Sequence, residues 1–598
     1  MAASSERNST RHLLAMRDDP PEESARELVF ESRKGGFRTI PFIIVNESFE
    51  KVASYGLLPN MIFYMLNDYH MEVANATTIL FLWSALSNGL ALVGAFLSDS
   101  YLGRFRVIAL GSFSSLLGMT LLWLTAMNPQ LKPPPCSPLS SSCHSATLAQ
   151  LIFFLSSLVF ISIGAGCIRP CSMAFGADQL DNKKNSNNER LQQSFINWYY
   201  ASIGVSAILA LTVIIYIQDQ YGWRVGFGVP AILMLLSLVM FLLGSSLYIK
   251  VNTEKSFFTG FFQVPVAAFR NRNIALPDQD SAYNRSHNSF LTAPTMKLRY
   301  LNKACIIRDP QQYLNPHGYA SNPWKLCTID QVEFLKAVLR VIPICSSGIM
   351  ILLSMFQQSF SIIQANSMDR HLFPSIQIPA GSFTVFTIIT MTVYVVIYDR
   401  VLTPILVKYT GNPRGLSTKL RMGLGLLLSL VGTVLCAIVE SIRRRTAINE
   451  GLADKPDAVT SMSAMWLIPQ YSLFGLAEAM NAVGQIEFYY SQFPKSMYSM
   501  GMALHTLSTA LSSLVGAALV RIVDGVTGKG GNVSWLSSNI NKGHLDYYYW
   551  LLTVMGVVNL VYYFLCCWAY GPMDGEPLVR DEMVESEERP QSRATPLA

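Results

Sequence analysis

Charge is what this chain has little of. Asp, Glu, Lys and Arg make up only 14% of its 598 residues, where a soluble domain carries about 25%. That deficit excludes an ordinary water-soluble globular protein. Histidine is also scarce, with eight in all and none clustered. Ten cysteines show no metal-ligand spacing. No HExxH or GxSxG sequence occurs, so neither a metal site nor an enzyme is expected. The net charge of +6 is modest and forms no basic stripe, which argues against a nucleic-acid partner. The first 36 residues are polar and contain no apolar core of a signal peptide, so no cleaved leader is expected and the first helix would direct insertion.

Long apolar runs are what the chain has in abundance. Hydrophobic residues make up 51% of it and the mean hydropathy is +0.31. Runs long enough for a bilayer, which takes about 20 helical residues, fall near 41–66, 76–98, 106–127, 147–170, 194–217, 225–249, 334–363, 380–399, 419–440, 463–489, 501–523 and 547–570. The expected fold is all-α and integral to the membrane, with twelve transmembrane helices. Five parts are expected: an N-terminal tail (1–38), a six-helix bundle (39–249), a central loop (250–332), a second six-helix bundle (333–571) and a disordered tail (572–598). Two such halves place a substrate site between them at mid-membrane.

Loop charges set the orientation. Arg104, Arg106, Lys183, Lys184, Arg190, the basic residues of the central loop, Arg400, Lys408, Arg414, Lys419 and Arg421 all fall on the side of the two termini. That side is expected to be cytosolic. One loop disagrees, because Arg443, Arg444 and Arg445 fall outside. Cys136 and Cys143 share an external loop, where a disulfide and two free thiols are both open readings. Asn75-Ala76-Thr77 lies too close to a span for glycosylation, whereas Asn532-Val533-Ser534 is a plausible acceptor.

Chemistry concentrates in the first span, PFIIVNESFEKVASYGLLPNMIFYML. Glu47 lies one helical turn before Glu50 and Lys51, so all three share one face. A charge in hydrocarbon costs roughly 3 kcal/mol or more. Buried carboxylates hold protons more readily, and a neighbouring cation opposes that. The three residues can therefore exchange a salt bridge for a bound proton. The competing reading is an ion-paired cluster that only fixes packing. Asp99, Gly103, Arg104 and Arg106 follow the second span, where a tight turn and charges can latch helix ends. Arg169 precedes Pro170 at the expected end of the fourth span and either anchors to the interface or faces a cavity. The aromatics of FINWYY (195–200) read as packing or interface residues. Glu478 lies deep in the tenth span with Asn481 one turn on, and the alternative there is a helix-packing hydrogen bond. His505 reads as a packing residue. Lys336 and Arg340 open the seventh span as gates or as interface anchors.

These motifs together resemble a known family. GAFLSDSYLGRFRVIALG resembles the loop motif of the major facilitator superfamily. ESFEKVASYG resembles the ExxE[R/K] motif of the proton-coupled oligopeptide transporters. With IRPCSMAFGADQ, FINWYY, LRYLNKACII and GQIEFYYSQFPKSM, the chain is similar to the plant nitrate/peptide transporter family across nearly its whole length, and most like its first subfamily. The resemblance implies a major facilitator fold and proton-coupled symport by alternating access. It assigns proton coupling to Glu47, Glu50, Lys51 and Glu478. Substrate contacts are expected from Arg169, Tyr55, Ser354, Phe356 and Asn481. Gating is expected from Asp99, Gly103, Arg104, Arg106, Lys336 and Arg340. Arg169 stands where the family usually has a lysine, and arginine does not release a proton. In the seventh span GIMILLSMFQQSF lacks the histidine through which one nitrate carrier of the family holds its substrate.

The leading expectation is low-affinity, proton-coupled transport of a small anion, nitrate first. The alternative is a larger organic substrate: a peptide, a plant hormone or a glycosylated metabolite. Protons are the coupling ion and no cofactor is implied. The partners are the substrate and the lipid bilayer, and the basic central loop leaves room for kinase regulation. The plasma membrane is the first choice of location and the vacuolar membrane the second.

Overall fold

The computed structural model describes residues 35–135, 144–180, 188–250, 258–276, 283–285, 294–308, 313–315, 320–374, 376–410, 416–493 and 498–571. Most of both expected tails, Lys183, Lys184 and the Cys136–Cys143 pair lie outside the described residues. Helix dominates, because in hydrocarbon every backbone N–H and C=O must be satisfied within its own segment.

In the first half, α1 (Ile40–Leu57) and α2 (Met61–Asn67) form one span broken around Pro59, which has no N–H to donate. The second span is α3 (Val73–Leu97), which continues through a π turn at Ser98–Leu102 and stops at Gly103. Gly103 has φ +78°, a conformation other residues adopt at a cost. Then come α4 (Arg104–Met127) and α5 (Leu148–Leu180). The next two spans are α6 (Asn188–Leu209) and α7 (Ile215–Leu243), joined by a π turn at Ala210–Ile214. The chain reverses at Gly222, φ +72°, so a glycine corner replaces the expected loop.

In the second half, α9 (Ile329–Ser346), α10 (Gly348–Met355) and α11 (Gln358–Asn366) form a twice-broken seventh span, after the central α8 (Phe258–Arg270). The eighth span is α12 (Val385–Ile397), a π turn at Tyr398–Leu402 and α13 (Thr403–Thr410). The last four are α14 (Thr418–Asn449), α15 (Ile468–Gln492), α16 (Tyr498–Thr527) and α17 (Leu545–Tyr570). Four short strands sit at the ends opposite the termini. Here β1 (Met368–Asp369) pairs parallel with β4 (Thr460–Ser463), and β2 (His371–Phe373) pairs antiparallel with β3 (Ile376–Gln377).

Nine helical stretches among the described residues are long and apolar enough to cross a membrane. One of them, Ser194–Ser246, has 53 residues and crosses twice. The first and tenth spans complete twelve. They are the polar members, carrying Glu47, Glu50 and Lys51 in one and Glu478 and Glu487 in the other.

Helices approach closely where side chains are small. A Cβ on Gly94 would lie 2.2 Å from the Gly166 carbonyl oxygen, and one on Gly118 would lie 2.7 Å from the backbone of Ile161. The apolar clusters that bridge the two bundles lie towards the ends away from the termini. Leu57, Met61 and Ile62 pack with Ile362, Ala380 and Phe383, and Val73 and Phe81 pack with Leu353 and Val520. Towards the termini, clusters stay within one bundle: Ile43 with Phe175 and Tyr248, or Val338 with Met422 and Tyr563. The molecule is thus sealed at one end and divided at the other.

Two expectations change. Residues 250–332 contain folded structure. There α8 packs Val264, Ala267 and Ala268 on Leu301, Ala304, Cys305, Cys327 and Ile329, and Asn284 donates to the Cys327 carbonyl at 3.0 Å. The anomalous arginines also gain a reason. Arg443 is fully buried, pairs in bidentate fashion with Glu440 at 2.8 Å, and donates to Asn541 Oδ1 at 2.7 Å. Arg444 donates to the Gly543 carbonyl at 2.8 Å. Both pin α14 to the loop before α17, so fold contacts, not topology signalling, explain their place.

Candidate functional site

Four charged side chains converge in the first bundle. On α1, Lys51 Nζ lies 3.2 Å from Glu47 Oε1 and 3.4 Å from Glu50 Oε2. From α5, Arg169 Nη2 lies 3.5 Å from Glu50 Oε1. Ser54, one turn beyond Glu50, donates its hydroxyl to Glu50 Oε1 at 2.6 Å. Tyr55 lies beside both cations, its ring 5.7 Å from Lys51 Nζ. Tyr199, from α6, is buried beside Glu47.

Charge balances within this group, with two carboxylates against two cations. Glu47, Glu50 and Lys51 are almost wholly buried, whereas the Arg169 side chain is 28% exposed. Glu47 Oε2 and Arg169 Nε have no hydrogen-bond partner, and Glu50 Oε2 has only its 3.4 Å ion pair with Lys51. Such a cluster is both stable and incomplete. Its ions compensate each other, yet it keeps open donor and acceptor positions beside an accessible guanidinium. Protonating Glu50 would leave one positive charge in excess, which an anion at Arg169 could neutralise.

A second cluster closes the helix ends near the termini. Arg104 Nη1 donates to both Asp178 oxygens, at 2.7 and 2.6 Å, and Arg104 Nε lies 3.4 Å from Asp99 Oδ1. A related arrangement occurs in the second bundle. Arg421 Nη1 pairs with Glu487 at 3.0 Å, and its guanidinium stacks on Tyr398 at 3.9 Å. Both arrangements sit beside a π turn, Ser98–Leu102 or Tyr398–Leu402.

A family model described as the POT family matches residues 105–536, more than half of the chain. The chain belongs to the POT family. It is 52% identical over 568 residues to Protein NRT1/ PTR FAMILY 1.2 of Arabidopsis thaliana, covering 93% of this chain and 94% of the relative. It is 51% identical over 567 residues to Protein NRT1/ PTR FAMILY 1.1 of the same plant, covering 93% and 96%. These place it in the plant NRT1/PTR family, first subfamily. A crystal structure of an auto-inhibited POT family peptide transporter aligns with TM-score 0.65 over 88% of this chain and 96% of that one, at 20% identity. That likeness shows the fold. The protein is a multi-pass membrane transporter, not an enzyme, with the expected major facilitator architecture.

The remaining expected residues of this POT-family chain divide. Arg169 is not at a helix end, because α5 runs on to Leu180 with Pro170 inside it. That depth lets the guanidinium reach Glu50. Gly103 makes the turn before Arg104, and Arg106 is exposed. Lys336 and Arg340, expected as gates or as interface anchors, make their contacts to the central segment and the second bundle. Lys336 pairs with Glu333 at 2.7 Å and donates to the Thr295 carbonyl at 2.7 Å, tying the central segment to α9. Arg340 stacks on Tyr570 at 4.7 Å.

Substrate-contact expectations divide similarly. Asn481 is buried where α15 meets α14 and donates to the Met422 carbonyl at 3.5 Å. Ser354 lines a small cavity inside the second bundle with Gln357, Ser361, Thr387, Gln470 and Tyr471. Phe356 lines a neighbouring groove against Leu58, Pro59 and Phe81 of the first bundle. Glu478 is half-buried and has no ion-pair or hydrogen-bond partner among the described residues. His505 is half-buried, with Nδ1 3.4 Å from Gln485 Oε1.

Asp178 and Ser54 are functional candidates that the sequence alone did not single out, and Tyr199, read there with FINWYY as packing or interface, is a third. Ser54 was findable from its i+4 spacing to Glu50. Asp178 and Tyr199 become neighbours of the charged motifs only through packing between helices.

Proposed function

We propose that this protein is a proton-coupled symporter of a small anion, nitrate first, working by alternating access. The observation that carries the reading is the neutral Glu47–Glu50–Lys51–Arg169 group with one partly exposed cation. When empty and deprotonated, Glu50 holds Arg169 and Lys51. A proton on Glu50 weakens both bridges, and the freed guanidinium takes the anion. Proton and anion thus bind interdependently, which is the coupling a symporter needs. Glu478 supplies a second, half-buried carboxylate in the other half.

Charge arithmetic favours more than one proton. A negative-inside potential opposes anion entry by about 2.3 kcal/mol per charge per 100 mV, so one anion with two protons reverses the sign. With both termini in the cytosol, as the loop charges argue, the sealed end is external and the site opens inward. The plasma membrane is the proposed location.

One observation favours a second reading, a larger organic anion. The wall formed by Ser354, Gln357, Ser361 and Gln470 offers hydroxyl and amide groups. Gln470 is fully buried, and neither of its amide heteroatoms has a hydrogen-bond partner. Such a wall suits an oxygenated substrate body more than a bare inorganic ion.

Currents in oocytes expressing the protein, stepped from pH 7.5 to 5.5 with and without nitrate, test both readings. An inward, acid-enhanced current that needs nitrate is the expected outcome. No nitrate current from protein at the cell surface would reject nitrate and direct the search to carboxylated organic compounds.

A further inference from the structure

We propose that an exposed aromatic and basic face of the central segment binds the anionic headgroups of the membrane leaflet beside it. The segment is the most cationic part of the chain. Residues 250–332 contain ten Lys and Arg against five Asp and Glu, which accounts for most of the net charge of +6.

The geometry begins with α8. One side of this helix is buried, through Val264, Ala267 and Ala268. The opposite side carries Phe262, 72% exposed, and Phe269, 68% exposed, with exposed Pro265 between them. Single exposed apolar residues are ordinary. A stripe at i, i+3 and i+7 on a helix outside the membrane spans is not, because water gains nothing from it. Trp324 extends the stripe, since Arg270 reaches across and donates to its carbonyl at 3.4 Å.

Basic groups surround these rings. The Arg272 guanidinium stacks on Phe269 at 4.7 Å. Lys303 donates to the Arg272 carbonyl at 2.6 Å, which fixes that corner. Arg270 and Lys325 are exposed alongside. Exposed rings on one helix face, flanked by cations, form the pattern of an interfacial amphipathic helix. Anionic lipid is the complementary surface, and the bilayer is always at hand because the chain spans it. The segment is also held close to that surface. Lys336, two turns into the seventh span, grips Thr295, and α8 packs on the opening residues of the same span.

The contact would couple lipid charge to transport mechanically. The segment joins the two bundles, and holding it against the leaflet limits how far α9 can move when the halves rock.

The test is hydrogen–deuterium exchange on the full-length protein in nanodiscs. One set contains phosphatidylcholine alone, and another has a third of it replaced by phosphatidylserine. Amides of α8 should exchange about fivefold more slowly or better with the anionic lipid, and raised salt should remove the difference. Arg270→Gln together with Arg272→Gln should abolish the lipid effect while leaving exchange in phosphatidylcholine as in the parent. Equal exchange of the parent protein in both lipids would overturn the proposal and leave the face to a protein partner. So would protection that persists in the double variant or at high salt.

Discussion

At the scale of single residues, the decisive feature is that every buried charge in the first span has an opposite within reach. Removing one member therefore leaves another uncompensated. Glu50→Gln keeps the size and the Ser54 hydrogen bond but strips the charge that holds Lys51 and Arg169. The expected result is acid-driven uptake per surface-expressed molecule reduced about tenfold or more, because the carboxylate that would link the proton to Arg169 is gone. Uptake that still rises on acidification would remove Glu50 from the coupling path. Arg169→Lys asks a different question. Lysine keeps the charge but loses the planar fork, so substrate affinity should weaken more than maximal rate, read from uptake against concentration. The Glu440–Arg443 pair lies apart from the charged cluster of the first bundle but follows the same rule. Arg443→Ala strands a fully buried carboxylate and should cost about 3–5 kcal/mol. Thermal unfolding in detergent reads this out, and Glu440→Leu with Arg443→Met should recover part of the loss.

At the scale of elements, the central segment behaves as a folded unit with a core of its own, and that has a chemical consequence. Burial pushes the Cys305 and Cys327 thiols up from 9.0 to about 12. The reactive form of cysteine is the thiolate, so neither residue should take up N-ethylmaleimide at pH 7.5 until the protein is unfolded. The sign of the linkage follows. The unfolded chain releases these protons near pH 9 and the folded chain only near 12, so stability is full below 9 and declines between 9 and 12. Rapid native labelling of both thiols would mean that this core is open. The element scale is also where the sequence was most and least legible. Periodicity and length found the spans, since lipid demands long apolar helices. Helix spacing alone put Glu47, Glu50 and Lys51 on one face. The folded centre stayed hidden because its core comes from short, separated pieces that carry no long periodic run. Arg443 read as a breach of the charge rule because its partner Asn541 lies in a distant loop. That Asn481 is covered by α14 was not legible, because position along a helix does not reveal which neighbour packs over it.

At the scale of the whole molecule, the two halves meet at one end and part at the other, and this asymmetry sets the most direct test of alternating access. The seam runs mainly between α3 and α16. Ser513 donates to Ser84 across it at 3.0 Å, Arg521 donates to Asn75 at 2.5 Å, and a Cβ on Gly516 would come within 2.6 Å of the Phe81 ring. No comparable bond joins the bundles near the termini among the described residues. There the ion pairs Arg104–Asp178 and Arg421–Glu487 each stay inside one half. A transporter must break one seam to form the other. Hydroxyls 3.0 Å apart put the two side chains in direct contact, so thiols in their place need approach by only about 1 Å to reach the S–S bond length of about 2.05 Å. Ser84→Cys with Ser513→Cys should therefore crosslink under mild oxidation and hold the sealed end shut. Uptake by the oxidised double variant should fall to near background and return with reductant, while each single variant transports normally. Full uptake by verified crosslinked protein would mean that this seam does not need to open, and the two halves would have to exchange access by another route.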